Sequence, residues 1–146
     1  MAIDIADDYF HKRPDHPYWN ESGWFSFMKP ERDLSGWIYF YHRPHVGYTV
    51  GGICAWDNTG SENYDCLCYD WGEPYPMKPE TNMFDFEIDN GLKVSIVEPL
   101  KSYKFDYRGA NAYTAGGCEL DLTFTAPILP HDAGMPGGLD EWGKGH

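Results

Sequence analysis

The sequence predicts an all-β chain, either an antiparallel up-and-down barrel or a two-sheet sandwich of about eight strands. Three observations carry that reading. Aromatic and β-branched residues recur on a period of two, most clearly between Trp19 and Trp56. Turn chemistry punctuates these runs, and Asn90-Gly91 is the strongest short hairpin signal. No stretch of useful length repeats with the period of an amphipathic helix. Helix content is therefore expected below about 10%, against roughly a third in ordinary globular proteins.

Taken in order, residues 1–22 read as a polar, irregular N-terminal arm, because Pro14 and Pro17 interrupt any long helix. The β domain is placed at residues 23–126. Its strands are expected at 23–28, 34–43, 46–56, 63–71, 84–89, 92–98, 102–108 and 116–126. The first gaps are filled by Lys29-Pro30-Glu31-Arg32-Asp33 and Arg43-Pro44-His45, and the third opens on Asp57-Asn58-Thr59-Gly60. Residues 72–82, rich in Pro, read as a loop. Residues 127–146 read as a Gly/Pro-rich tail or linker. The tail nevertheless carries Ile128, Leu129, Met135, Leu139 and Trp142, an apolar load that predicts docking on another β domain.

Alternation separates the faces of each strand. In 34–43, Trp37, Tyr39 and Tyr41 share one face while Ile38, Phe40 and His42 share the other. Both faces are apolar, so the strand is expected to be covered on both sides or to line a cavity. In 116–126, Leu120, Leu122 and Phe124 oppose Glu119, Asp121, Thr123 and Thr125, the pattern of a half-buried strand. Asp106 and Asp121 fall on the expected water-facing side.

Composition excludes some functions. The formal net charge is −12, from 23 acidic and 11 basic residues, which argues against nucleic acid and anionic membranes as partners. No apolar run approaches the roughly 20 residues needed to span a bilayer. The N-terminal residues lack a basic segment followed by an apolar one, so a cytoplasmic location is expected. The four cysteines, Cys54, Cys66, Cys68 and Cys118, all fall in expected strands and lack metal-ligand spacing. They are expected to be reduced, metal-free, buried thiols.

The run HPYWNES, the FSF strand, GWIYFYHRP, the FEIDNGLKVSIVEPLKSYKFDY hairpins and the LDLTFTAP strand cover most of residues 16–130. Together they resemble the N-terminal domain of a lipocalin-like family related to hydroxyneurosporene synthase (carotenoid hydratase) and AttH-type proteins. The resemblance implies a lipocalin-like barrel that binds an apolar small molecule. It also implies hydratase, isomerase or cyclase chemistry on a polyene- or terpenoid-like substrate, and a second lipocalin-like domain as partner; the apolar tail makes a homo-oligomer the other expected assembly. Its motifs are structural, so an enzymatic role rests on individual residues.

Two residues are candidates for catalysis. Glu21 lies among aromatics just before the first strand, and a carboxylate there could act as a general acid toward an alkene. His42 ends a strand and is a candidate proton carrier. The ligand-binding candidates are Trp19, Trp37, Tyr39, Tyr41, Arg43 and Tyr48, with Trp37, Tyr39 and Tyr41 as a stacking wall. His42 and His45 flank a turn without a fixed third ligand, so neither a metal nor another cofactor is expected. The alternatives are a non-catalytic carbohydrate-binding β-sandwich and a structural half of a two-barrel assembly. Where the aromatics converge, in a closed cavity, on an exposed strip or at a subunit contact, separates the three.

Overall fold

The computed structural model describes residues 3–12, 16–128 and 130. Among these residues nine strands form two antiparallel sheets. The first contains β1 (Glu21–Lys29), β2 (Leu34–Arg43), β3 (Tyr48–Trp56), β4 (Cys68–Asp70) and β5 (Pro74–Pro76). Its order is β1-β2-β3-β4, with β5 also paired to β3. The second runs β6 (Phe86–Glu87), β7 (Leu92–Glu98), β8 (Ser102–Ala110) and β9 (Gly117–Thr125) in sequence order. Among the described residues there is no α-helix, only 3₁₀ turns at Ile5–Asp8, Pro30–Arg32 and Asn63–Asp65. The sheets do not close into a barrel, and the architecture is a sandwich.

Meander topology follows from the turns. Asn90-Gly91 joins β6 to β7, and Gly91 carries the positive φ of 93° that the turn requires. A Cβ there would collide with the Arg108 carbonyl oxygen. At the other end of β7, a bulge between Ile96 and Glu98 turns Val97 out to solvent.

One face of each long strand meets the others in a single core. Ile38 and Phe40 from β2, Ile53 from β3, Leu92 and Val94 from β7, and Phe105 and Tyr107 from β8 are all essentially inaccessible. Phe25 of β1 bridges the sheets, 4.5 Å from Phe105 and 5.1 Å from Phe124 between ring centroids. These side chains pack the centre of the sandwich, and a cleft of about 280 Å³ remains between the sheets beside Cys68, Cys118 and Leu120.

Several boundaries differ from the sequence expectation, for identifiable reasons. The expected strand 63–71 shrinks to β4, because Asn63–Asp65 forms a 3₁₀ turn and leaves Cys66 in a connecting segment. The loop expected at 72–82 contains β5, in which Tyr75 pairs with Thr49. Pro74 and Pro76 flank that pair and lack N–H donors, which confines β5 to a three-residue edge. Strand 84–89 narrows to β6. Asp106 and Asp121 pair across β8 and β9 on the outward face, and both contact Lys104.

The cysteines require a correction. Cys68 and Cys118 form a disulfide, so the four are not all reduced. Their alternation within short strands gave no sign of pairing, because Cys68 and Cys118 stand 50 residues apart and meet only when the two sheets stack. The bond joins β4 of one sheet to β9 of the other. Beside it the Ala112 N–H donates to the Tyr69 carbonyl at 2.8 Å, and the Asn111 amide donates to the Leu67 carbonyl at 3.0 Å. One side of the sandwich is therefore stitched across.

Asp8 ties the N-terminal segment to the second sheet. Asp8 is 2% exposed. Its carboxylate accepts from the Leu100 N–H and the Tyr103 hydroxyl, each at 2.6 Å. Leu100 has a φ of 61°, so this bond fixes a turn the backbone would otherwise resist. Asp8→Asn places an amide donor against one of those donors and is expected to cost about 2 kcal/mol. Urea unfolding checks this; an unchanged midpoint contradicts it. The expected docking of the tail falls on residues that, apart from 127, 128 and 130, lie outside those described.

Candidate functional site

The sequence-derived site residues fall into two groups on opposite faces of the five-stranded sheet. Glu21 and His42 point inward. They are direct partners in the β1–β2 register, so alternation along both strands gives them the same face. Trp37, Tyr39, Tyr41, Arg43 and Tyr48 point outward.

Three donors converge on the Glu21 carboxylate. Oε1 accepts from the His11 N–H at 2.9 Å and the Trp19 indole N–H at 3.2 Å, and Oε2 meets His11 Nδ1 at 2.8 Å. His11 lies between Glu21 and Asp7, with its Nε2 3.5 Å from Asp7 Oδ1. The Glu21 hydrogen bond leads the causes that raise the His11 pKa, against a smaller opposing effect of burial. His11 was not singled out from the sequence; its role depends on the arm folding back ten residues onto Glu21.

His42 has no solvent exposure. Its Nε2 donates to the Met83 carbonyl at 3.2 Å, which leaves Nδ1 to accept from the Thr49 hydroxyl at 2.8 Å. Burial drives its pKa down to about 4, against smaller opposing effects of the Met83 carbonyl and Glu21. The imidazole is thus neutral near pH 7 and fully bonded. Phe10, Phe40 and Phe86 rings surround it at 4.8–5.5 Å. None of the clefts described below is lined by Glu21 or His42.

The outward group forms a continuous aromatic strip. Trp24 of β1 lies 5.3 Å from both Trp37 and Tyr39. Trp71, just beyond β4, lies 4.8 Å from Tyr39, 5.7 Å from Trp37 and 6.2 Å from Tyr41. Tyr41 and Tyr48 are 6.3 Å apart, and the Arg43 guanidinium sits 5.4 Å and 5.9 Å from their two ring centres. Arg43 Nε is buried and has no hydrogen-bond partner among the described residues. Burial and the neighbouring Tyr48 raise the Tyr41 pKa.

Gly52 makes this strip possible. It pairs with Tyr39 and occupies the outward face of β3. A Cβ there would collide with the Asp70 carbonyl oxygen. Its absence lets the Asp70–Trp71 backbone cross close to the sheet, so that Trp71 reaches Tyr39. Trp24 and Trp71 were not among the sequence-derived candidates. Trp24 could have been found by pairing strands in register, since it stands opposite Tyr39; Trp71 could not, because its position depends on the crossing at Gly52.

At the Trp37 end the strip opens into a cleft of about 410 Å³. Trp37, Trp56 and Tyr69 supply apolar walls, and Ser61, Glu62, Asn63 and Asp65 supply polar groups. Its size lies at the small end of ordinary ligand sites. The polar side comes from the 57–66 loop, whose Asn63 amide donates to the Tyr113 hydroxyl at 3.0 Å. A shallower cleft of about 360 Å³ continues past Trp56 toward Met28 and Asp57. No group of three or more metal-ligating side chains occurs among the described residues. No helix among them is long and apolar enough to cross a membrane.

Neither a curated protein nor a solved structure matches the chain. A family model does match, over residues 4–146, and so spans the arm, both sheets and the sequence beyond β9. The chain belongs to the family defined by that model, the domain of unknown function DUF7064.

Proposed function

We propose that this chain is a non-catalytic binding module whose outward aromatic strip and adjoining cleft take a neutral, hydroxylated ring ligand of the carbohydrate class. The two-sheet β architecture is compatible with a lipocalin-like ligand binder, but packed Phe and Tyr side chains occupy the centre of the sandwich, while the candidates Trp37, Tyr39, Tyr41 and Tyr48 lie outside it. That placement carries the reading. A sugar ring offers an apolar C–H face to Trp37, Trp56 or Trp71, while Glu62, Asn63, Asp65 and Ser61 stand beside it as hydrogen-bond partners. The acidic rim and the net charge of −12 disfavour an anionic ligand. The cross-linked Cys68 and Cys118 suit an oxidising compartment, in keeping with an extracellular sugar binder.

A second reading keeps the same strip for an apolar ligand, such as the polyene- or terpenoid-like molecules implied by the resemblance to carotenoid hydratase and AttH-type proteins. It is favoured by the exposure of Trp24, at 58%. Catalysis by Glu21 and His42 would require a path from this face through the sheet to the inward one. A homo-oligomer or a second lipocalin-like domain covering the strip is the remaining alternative.

Titration of tryptophan fluorescence with neutral oligosaccharides and, separately, with a detergent-solubilised polyene tests these readings. Saturable binding of a saccharide is expected, with Trp37→Ala weakening it at least about tenfold, or roughly 1.4 kcal/mol. Glu21→Gln and His42→Gln should leave affinity unchanged. Binding of the polyene alone contradicts the carbohydrate reading, and loss of binding in Glu21→Gln contradicts the outward site.

A further inference from the structure

We propose that Cys54 and Cys66 are a redox-active thiol pair that closes to a second disulfide and pins the 57–66 loop to β3 at the edge of the cleft. The inference is independent of which ligand the cleft takes. The two Sγ atoms are 3.4 Å apart. Reaching the ordinary disulfide length of about 2.05 Å requires a small approach of the two side chains. Both ends of the segment are anchored. Cys54 pairs with Trp37 on one side and with Tyr69 on the other, in the middle of the sheet. Cys66 stands two residues before Cys68, which is itself cross-linked to Cys118.

The two thiols differ in access. Cys54 is buried and Cys66 is partly exposed. Burial and the neighbouring Cys66 push the Cys54 thiol up to about 12. Cys66 is therefore the first to react with a small disulfide oxidant such as oxidised glutathione. Its thiolate attacks one glutathione sulfur and forms a mixed disulfide, and the other glutathione leaves as a thiolate with the bond's electron pair. Cys54 gives its proton to solvent and attacks Cys66 Sγ, expelling the second glutathione thiolate. Two protein thiols are oxidised, one small disulfide is reduced to two thiols, and the released protons accompany the leaving groups.

The structural consequence falls on the cleft. Cys54 and Cys66 line it together with Trp37 and Trp56, and the tethered loop carries Glu62, Asn63 and Asp65. Closing the bond fixes the loop's C-terminal end to the strand that supports the apolar wall.

The test incubates the full chain in glutathione buffers of stepped potential. Free thiols are counted after denaturation, disulfides are mapped by non-reducing peptide mass spectrometry, and amide exchange is followed over residues 57–66. Two free thiols are expected in mildly reducing buffer and none in oxidising buffer, with a new Cys54–Cys66 link and the Cys68–Cys118 link intact. Exchange in the loop should slow at least about tenfold on oxidation, and Cys66→Ser should abolish the change. The reduced and oxidised wild-type protein supply the comparison if that variant does not fold. Two thiols persisting in oxidised glutathione, a glutathione adduct on Cys66 that never closes, or a bond that leaves loop exchange unchanged overturns the proposal.

Discussion

Removing the Cys68–Cys118 disulfide by the double substitution Cys68→Ala/Cys118→Ala is expected to lower the unfolding free energy by about 4 kcal/mol. A bond closing a loop of 50 residues restricts the unfolded chain by roughly that amount in the loop-entropy description. The folded side adds to the effect. β4 has three residues and pairs only with β3, so the bond to β9 ties it to the second sheet together with the hydrogen bonds that Asp70 accepts from the Tyr107 hydroxyl and the Asn90 amide. The neighbouring Ala112–Tyr69 and Asn111–Leu67 hydrogen bonds depend on the same approach of the sheets. Urea unfolding measures the difference. The variant should also show a larger m-value, because its unfolded chain exposes more surface. A loss below about 1 kcal/mol would mean that the hydrogen-bonded seam holds the sheets without the cross-link.

Acidification is expected to destabilise the protein through His42. Its folded pKa is about 4, below the ordinary value of 6.5. Between those values the unfolded chain takes up a proton that the folded chain refuses, so stability falls as pH drops from about 6.5 to 4 and levels off below. The full difference corresponds to about 3 kcal/mol at 1.36 kcal/mol per pH unit. His11 acts in the opposite direction. Its raised pKa makes its contribution complete below 6.5 and lost as pH rises through the folded value. It is half exposed, so its share is small and His42 sets the sign. His42→Gln keeps a donor for the Met83 carbonyl and removes the titration. Thermal or urea unfolding from pH 7 to pH 4 should show a fall in the wild type that is flattened in this variant. Parallel profiles for the two would contradict the assignment.

The sequence carried the local pattern well and the long-range contacts poorly. Strands 34–43 and 92–98 were legible to the residue, because alternation and flanking turn residues agree there. The same alternation placed Ile38, Phe40 and His42 on one face and Trp37, Tyr39 and Tyr41 on the other. It could not say which face was the interior, since both are apolar; sheet stacking decides that. The expected strand 63–71 was misleading over its first half, because Asn63-Tyr64-Asp65 favours a turn, and of Tyr64, Cys66 and Cys68 only Cys68 enters β4. The disulfide, Asp8 against Tyr103, and Trp71 over Tyr39 all join segments separated by more than thirty residues. No local rule reports such pairs.

The candidate site divides in the same way. Tyr39, Tyr41 and Arg43 share one face by periodicity, and Tyr48 joins them because it pairs with Arg43 across β2 and β3. Trp19 instead joins Glu21 through its indole N–H on the other side of the sheet. The cleft beside Trp37 exists because the 57–66 loop folds back over Cys54, which depends on tertiary contacts such as Asn63 with Tyr113.

The most direct test of the outward aromatic site is nuclear magnetic resonance of the indole N–H groups. Trp19, Trp24, Trp37, Trp56, Trp71 and Trp142 each give one indole signal, which single substitutions assign. On addition of a neutral oligosaccharide that binds, the Trp37, Trp56 and Trp71 signals should shift while Trp19, bonded to Glu21, stays in place. Movement of the Trp19 signal with Trp37, Trp56 and Trp71 unchanged would contradict the account and move the site to the inward face.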